Sequence, residues 1–198
     1  MSTAIILAGG RSSRSGRIHK GLRQITTNGI GYSWLEYQIL QLRKAGYQRI
    51  ILATGFRPRR LLAKATGTLQ KHNPTPENGP FSTLVNALSG FSSGHTLLVP
   101  LDSPIPSTKI LYRLRLAIKG NKAAKPSFSG RGGHPLLLSN HVVKNLKRVD
   151  VHADEARLDK QLRLLDNCSV ARVKVSSAKV LCNLNSETQW NRYKHNKL

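Results

Sequence analysis

An α/β fold with a mostly parallel sheet is what this sequence predicts, on three observations. Short apolar runs are followed again and again by stretches of helical periodicity. The best of these runs, TLLVPL at 96–101, is continuously apolar, as a strand buried on both faces must be. The chain has 198 residues, 39% of them hydrophobic, which suffices for one sizeable core without disulfides or structural metal.

Each element has its own signal. Residues 3–8, TAIILA, form the first strand. Beyond a basic loop, Leu35, Ile39 and Leu42 fall on one helical face, and Gly46 supplies a stop. RIILAT at 49–54 is a second buried strand. A short basic helix over 58–65 leads to TLQKHN, a weaker strand candidate, and then to NPTPENGP, whose Pro, Asn and Gly content marks a loop. Residues 82–91 read as helix, and the strand 96–101 then runs straight into Asp102, Ser103 and Pro104. Helical spacing resumes at Ile110, Leu111, Leu114 and Ile118. KPSFSGRGGHPLLLS predicts a glycine-rich loop and then a strand starting near His134. ARLDKQLRLL at 156–165 reads as helix, VARVKV and KVLCNL as strands, and the chain from Ser186 as a terminal helix. With no internal repeat, low-complexity tract or dividing linker, one domain over residues 1–198 is expected.

Lys and Arg number 32 against 9 Asp and Glu, a net charge of +23, and only Glu36 and Glu77 precede Asp102. Anionic partners follow from that balance. Nucleic acid fits the charge but is not favoured: the cations are dispersed, with RPRR at 57–60 the densest cluster, and 6% aromatics gives little to stack bases on. Cys168 and Cys182 stand apart without a CxxC, which argues against a zinc ribbon or redox pair and makes both candidates for the core. The apolar run Ala4 to Ala8 is too short for a signal peptide and no stretch approaches a membrane span, so no membrane partner and a cytoplasmic location are expected.

The chemistry concentrates in ILAGGRSSRSGRIHKG, residues 6–21, which carries Arg11, Arg14, Arg17 and Lys20 and not one carboxylate. A glycine turn between strand and helix lets backbone N–H groups approach phosphate oxygens, because no Cβ intervenes at Gly9 and Gly10. Arginine adds bidentate donors and lysine a mobile charge, so the stretch suits a polyphosphate. Its spacing is neither that of a P-loop nor that of the Gly-x-Gly-x-x-Gly dinucleotide fingerprint. A basic surface loop with turning glycines is the plainer alternative.

LAGGRSSRSG followed by HKG resembles the opening motif of the MobA-like nucleotidyltransferases. Further matches come in order: NPTPENGPFSTL resembles the family's Asn-Pro, Gly and Ser-Leu segment, LLVPLDSP its strand ending in aspartate, SGRGGHPLLLS its Gly-Arg-x-Gly-His-Pro stretch, and NLNSETQW its closing Asn-x-Asn element. The resemblance spans nearly the whole chain. It implies a three-layer, Rossmann-like α/β/α fold of the nucleotide-diphospho-sugar transferase type. It also implies a nucleoside triphosphate, CTP or GTP, as donor, Mg²⁺ as cofactor, and transfer of the nucleoside monophosphate to a phosphorylated acceptor such as molybdenum cofactor.

By the same match, backbone at Leu7, Ala8 and Gly9 lines the base pocket, Gly10 and Ser12 approach the phosphates, Arg14 holds the leaving pyrophosphate, and Lys20 bridges phosphate and nucleophile. Asp102 is the expected metal ligand: it ends a buried strand, where open α/β sheets place ligands, and acids are scarce in this chain. A helix N-cap is its alternative role, though Ser107 suits that position. A second ligand comes from Asn183 or Asn185, with Asn185 favoured by alignment; turn formation is the other reading of both. Gly79 and Ser82 are expected at the nucleobase, or else as an ordinary loop and N-cap, and His134 with Pro135 at the acceptor, or else at a simple strand start. The remaining histidines, His19 among them, lack the spacing of a metal site or a triad. Ser15 replaces a customary methionine of the motif. Two other readings stand beside this one: a sugar-phosphate nucleotidyltransferase, against which SGRGGHP argues, and a catalytically degenerate binding protein of the same fold that holds nucleotide or polyanion.

Overall fold

The computed structural model describes residues 2–11, 19–90 and 94–195. Among these, eight strands form one mixed sheet. Its strands are β1 (Thr3–Ala8), β4 (Arg49–Thr54), β5 (Leu69–His72), β6 (Thr96–Pro100), β7 (Ala123–Phe128), β8 (Arg131–Gly132), β9 (Leu136–Leu138) and β10 (Val170–Lys174). The order is β10-β7-β9-β6-β1-β4-β5, with β8 paired to β7. Parallel ladders join β1 to β4 and β6, β4 to β5, and β10 to β7, while β9 runs antiparallel to β6 and β7. A separate hairpin, β2 (Gln24–Thr27) with β3 (Ile30–Ser33), leads into the first helix.

Helices cover both faces because neighbouring residues of each central strand point opposite ways. Ile6 joins the core under α1 (Trp34–Lys44), α4 (Thr108–Ala117) and α7 (Glu187–Lys194), with Leu35, Leu42, Leu111, Leu114 and Trp190. Ile5 joins the other core, with Phe81 and Leu84 of α3 (Gly79–Leu88) and Val142, Val143 and Leu146 of α5 (Asn140–Leu146). Both isoleucines are fully buried. Each stabilises the fold by about 1.5–3 kcal/mol of burial. The short α2 (Arg59–Leu62) and α6 (Leu158–Arg163) complete the layers.

Two helices start at capping boxes. Ser33 Oγ accepts from the Glu36 amide while Glu36 accepts from the Ser33 amide, and Ser186 and Gln189 repeat the arrangement for α7. A buried Arg23 then fastens the start of α7: it donates to the Ser186 carbonyl at 3.3 Å, pairs with Glu187 at 3.0 Å and lies over the Trp190 ring.

Several elements differ from expectation. The third helix begins at Gly79, not residue 82, because Pro80 is at home in a first turn. KVLCNL is no strand: residues 178–181 form a 3-10 turn whose Val180 carbonyl accepts from the His134 amide. KPSFSGRGGHPLLLS carries the end of β7, the β8 hairpin and β9, so the loop is shorter than predicted. Ser107 stands at the N-cap of α4, but its side chain makes no capping bond. Cys168 is exposed and Cys182 half-buried, so neither is a core residue. Among the described residues, no helix is long and apolar enough to cross a membrane.

Candidate active site

The order in which strands join the sheet switches sides at β1: the chain goes on to β4 and β5 on one side, then crosses to β6 on the other, all parallel to β1. Open α/β sheets bind ligands at such a switch, outside the carboxyl ends of the strands. A cavity of about 260 Å³ opens there, lined by Leu7, Ala8, Gly9 and Gly10 after β1, Pro100, Leu101 and Asp102 after β6, His19 and Lys20 from the loop, and Pro80 and Thr83 of α3.

Gly9 is fixed by closeness to α3. A Cβ there would stand 2.5 Å from Thr83 Oγ1, whereas one on Gly10 would meet open space. The first glycine therefore lets the loop pack, and the second leaves room beside its amide. Asn73 locks the facing wall, donating to Ser82 Oγ at 2.8 Å and Thr83 Oγ1 at 3.1 Å while accepting from the Thr75 amide.

In the same cavity, Lys20 Nζ lies 3.1 Å from Asp102 Oδ2 and donates to Asn185 Oδ1 at 2.9 Å. Three segments distant in sequence thus bring two oxygens around one cationic centre. Backbone bonds hold the ring of parts: the Leu101 amide donates to the Leu7 carbonyl at 3.0 Å and the Leu184 amide to the Asp102 carbonyl at 2.7 Å. Helix α1 braces the same turn from beneath, where Trp34 Nε1 donates to the Leu101 carbonyl and Gln38 Nε2 to the Ser103 carbonyl at 2.9 Å.

The two candidate asparagines part company here. Asn183 Oδ1 accepts from the buried Ser103 hydroxyl at 3.2 Å, and Asn185 Oδ1 faces the Lys20–Asp102 pair. Among the described residues, no three His, Cys, Asp or Glu side chains gather in a metal-binding group. One carboxylate and one amide oxygen converging on a cation nevertheless match a hard divalent ion that takes one or two protein oxygens and completes its shell with phosphates and water.

His134 lies half-buried near Asp102 and Lys125. Burial pushes its pKa below the ordinary 6.5; the Asp102 charge opposes that shift and the Lys125 charge adds to it. His19 is lowered as well, by burial and then by Lys20, and its Nδ1 accepts from the Gly21 amide at 3.2 Å. Both rings are thereby held neutral at pH 7.

Of the residues expected from sequence, Leu7, Ala8, Gly9, Gly10, Lys20 and Asp102 line the cavity and Asn185 meets them there. Ser12 and Arg14 lie outside the described residues. Gly79 and Ser82 do not line it: the buried Ser82 hydroxyl donates to the Gly79 carbonyl at 2.8 Å, and Pro80 and Thr83 face the space instead. Sequence reasoning missed His19, Thr83, Asn73 and Gln38. Asn73 and Thr83 lie within the NPTPENGPFSTL segment and His19 within HKG, and Gln38 shows as a polar residue within the apolar stripe of Leu35, Ile39 and Leu42.

A glycine turn, a lysine and a strand-end carboxylate at the switch point of an open α/β sheet are the arrangement of the nucleotide-binding class of folds. The chain belongs to the family described as MobA-like NTP transferase domain, whose sequence model matches residues 4–169. A molybdenum cofactor guanylyltransferase of Shewanella sp. (strain MR-4) is 29% identical over 120 residues, covering 61% of this chain and 58% of that protein. One of Xanthomonas euvesicatoria pv. vesicatoria (strain 85-10) is 34% identical over 113 residues, covering 57% and 52%. The match thus spans little more than half the length of these relatives. Among solved structures, a nucleotidyl transferase from Methanothermobacter thermautotroptrophicus superposes with a TM-score of 0.78 at 19% identity, covering 99% of this chain and 97% of that one. Rv0371c from Mycobacterium tuberculosis H37Rv, in complex with manganese, gives 0.72 at 19% identity over 98% of each chain. These likenesses establish the nucleotidyltransferase fold.

Proposed function

We propose that this protein is a Mg²⁺-dependent nucleotidyltransferase that moves GMP from GTP to the phosphate of a molybdopterin-type acceptor. An acceptor phosphate oxygen attacks the α-phosphorus, the bond from that phosphorus to the α,β-bridging oxygen breaks, and pyrophosphate leaves with the electron pair. The observation that carries the reading is the meeting of Asp102 Oδ2 and Asn185 Oδ1 around the Lys20 ammonium beside the Gly9–Gly10 turn.

In-line displacement builds negative charge on the attacked and departing phosphates, and fixed cationic donors stabilise it. Lys20 supplies such a charge in the cavity wall, and the open space at the Cα of Gly10 leaves room for a phosphate to approach that turn. Leu7, Pro80 and Leu101 offer an apolar wall for a flat base. Asp102 and Asn185 would hold Mg²⁺ with their oxygens, now turned to the Lys20 ammonium, and the ion would neutralise phosphate charge there. Arg14 is proposed for the pyrophosphate, Ser12 for the phosphates, and neutral His134 for the acceptor, while Gly79 and Ser82, hydrogen-bonded to each other, are proposed to hold Pro80 and Thr83 against the base from behind. The naming of the relatives as guanylyltransferases favours GTP over CTP.

Pyrophosphate release measured with GTP, CTP, Mg²⁺ and either molybdopterin or a hexose 1-phosphate tests this reading. Release with GTP and molybdopterin is expected. Release with the sugar phosphate alone would transfer the protein to the sugar-nucleotide class, and nucleotide binding without release under any condition would make it a degenerate binding protein. Lys20→Met should lower kcat by roughly 10²-fold while leaving GTP affinity within a few-fold, because its charge acts on the transition state.

A further inference from the structure

A second cavity of about 500 Å³ lies between β7, β9, β10 and α6, and its Lys125 acts electrostatically on His134, as Asp102 of the first cavity does. Its walls supply three cations, Lys125, Arg163 and Arg172, and one carboxylate, Asp159. That carboxylate is already engaged, accepting from Arg157 at 3.1 and 3.3 Å and lying 3.8 Å from Arg163.

Lys125 and Arg172 are direct partners in the parallel β7–β10 ladder, so their side chains rise from the same face. Like charges placed opposite each other on paired strands destabilise a sheet. Each is nevertheless held in place. Arg172 Nη1 donates to the Gly130 carbonyl at 3.2 Å. The end of Lys125 lies across Gly132, where a Cβ would come within 2.6 Å of its Cε and 2.9 Å of its Nζ. A side chain at 132 would therefore displace the ammonium from this position. Among the described residues, Lys125 makes no hydrogen bond or ion pair, and its charge reaches both Arg172 and His134.

Two cations aligned against their own repulsion, one laid over a glycine and unpaired, form a receptor for an anion between them. We propose that Lys125 and Arg172 bind a second anionic group of the acceptor, distinct from the phosphate that attacks, so that the acceptor lies across His134 from one cavity to the other. The acceptor part of this assignment rests on the transferase reading above; the anion site itself does not. The acceptor class it selects is a dianion or polyanion long enough to span both places.

Inorganic phosphate is the probe for the site. At low ionic strength it should raise the Tm of the wild-type protein, and Lys125→Met and Arg172→Met should each remove more than half of that rise. An undiminished rise in both variants overturns the site. Without phosphate, Lys125→Met should unfold at or above the wild-type temperature, since it relieves the like-charge pair. A lower Tm with the phosphate effect intact would reduce Lys125 to a packing residue and overturn the proposal. In the pyrophosphate-release assay with molybdopterin, Lys125→Met should raise the acceptor KM roughly tenfold, the worth of one charge-assisted hydrogen bond, with the GTP KM unchanged. Equal rises in both constants would overturn the assignment to the acceptor. Because the phosphate measurement needs no turnover, failure of the anion site and failure of the transferase reading are separate results.

Discussion

The Leu184 amide donates to the Asp102 carbonyl at 2.7 Å, so the closing segment of the chain is fastened to the backbone of the residue whose carboxylate faces Lys20. Main chain and side chain of Asp102 thus do different work: the carbonyl holds the tail that brings Asn185, and the carboxylate is left for the cavity.

That division predicts the behaviour of Asp102→Ala. The variant keeps the Asp102 carbonyl bond and should unfold within a few degrees of wild type, while metal-dependent pyrophosphate release falls by roughly 10²- to 10³-fold. Circular dichroism melting beside the release assay checks both halves, and near-wild-type turnover would remove the carboxylate from the site.

Gly9→Ala places a methyl 2.5 Å from Thr83 Oγ1. Overpacking of this kind costs about 1–3 kcal/mol, and Thr83→Ala should recover part of it because the nearest atoms are that side chain's own. Urea unfolding of the two single variants and the double variant measures the coupling; additive losses would show that the loop and α3 do not press on each other.

Gln38 is fully buried and donates to the carbonyls of both Leu101 and Ser103, flanking Asp102. Gln38→Leu strips the Ser103 carbonyl of that donor, while Trp34 still covers Leu101. We expect a loss of about 1–3 kcal/mol in stability. Activity should fall mainly in kcat, with Gln38→Glu restoring neither donor. Wild-type kcat in the leucine variant would show that the turn keeps its shape unaided.

His134 titrates below the usual 6.5 because it is buried, so the unfolded chain binds its proton at a higher pH than the folded one. The sign follows from linkage: this stability is complete above about pH 6.5 and is lost as pH falls toward the lowered folded-state value. His134→Asn should flatten the dependence of Tm on pH below about 6.5. An unchanged slope would mean that the ring is solvated in both states.

Much of this was legible in the residues themselves. Continuous apolar runs gave β1, β4 and β6 to the residue or nearly so, because strands buried on both faces leave no polar position to blur their limits. Short, exposed or half-exposed pieces escaped: the β2–β3 hairpin, with Gln24 and Thr26 among its residues, and the two-residue β8 carry too little pattern to separate from loop. KVLCNL misled because its apolar residues pack without a neighbouring strand, and periodicity records burial, not hydrogen-bond partners. The offset from Gly79 and Ser82 to Pro80 and Thr83 is a matter of helix phase, which depends on where Pro80 starts the turn.

By itself the sequence determined the layered α/β class, the basic glycine loop, the strand-end Asp102 and the scarcity of acids around it, since each is written in the type and order of neighbouring residues. Only the tertiary structure decided that Asn185 and not Asn183 meets Lys20, that Gln38 braces the Asp102 turn, and that Lys125, unpaired among the described residues, lies opposite Arg172. These depend on where distant segments cross, and crossing is fixed by sheet order and packing, which no local pattern encodes.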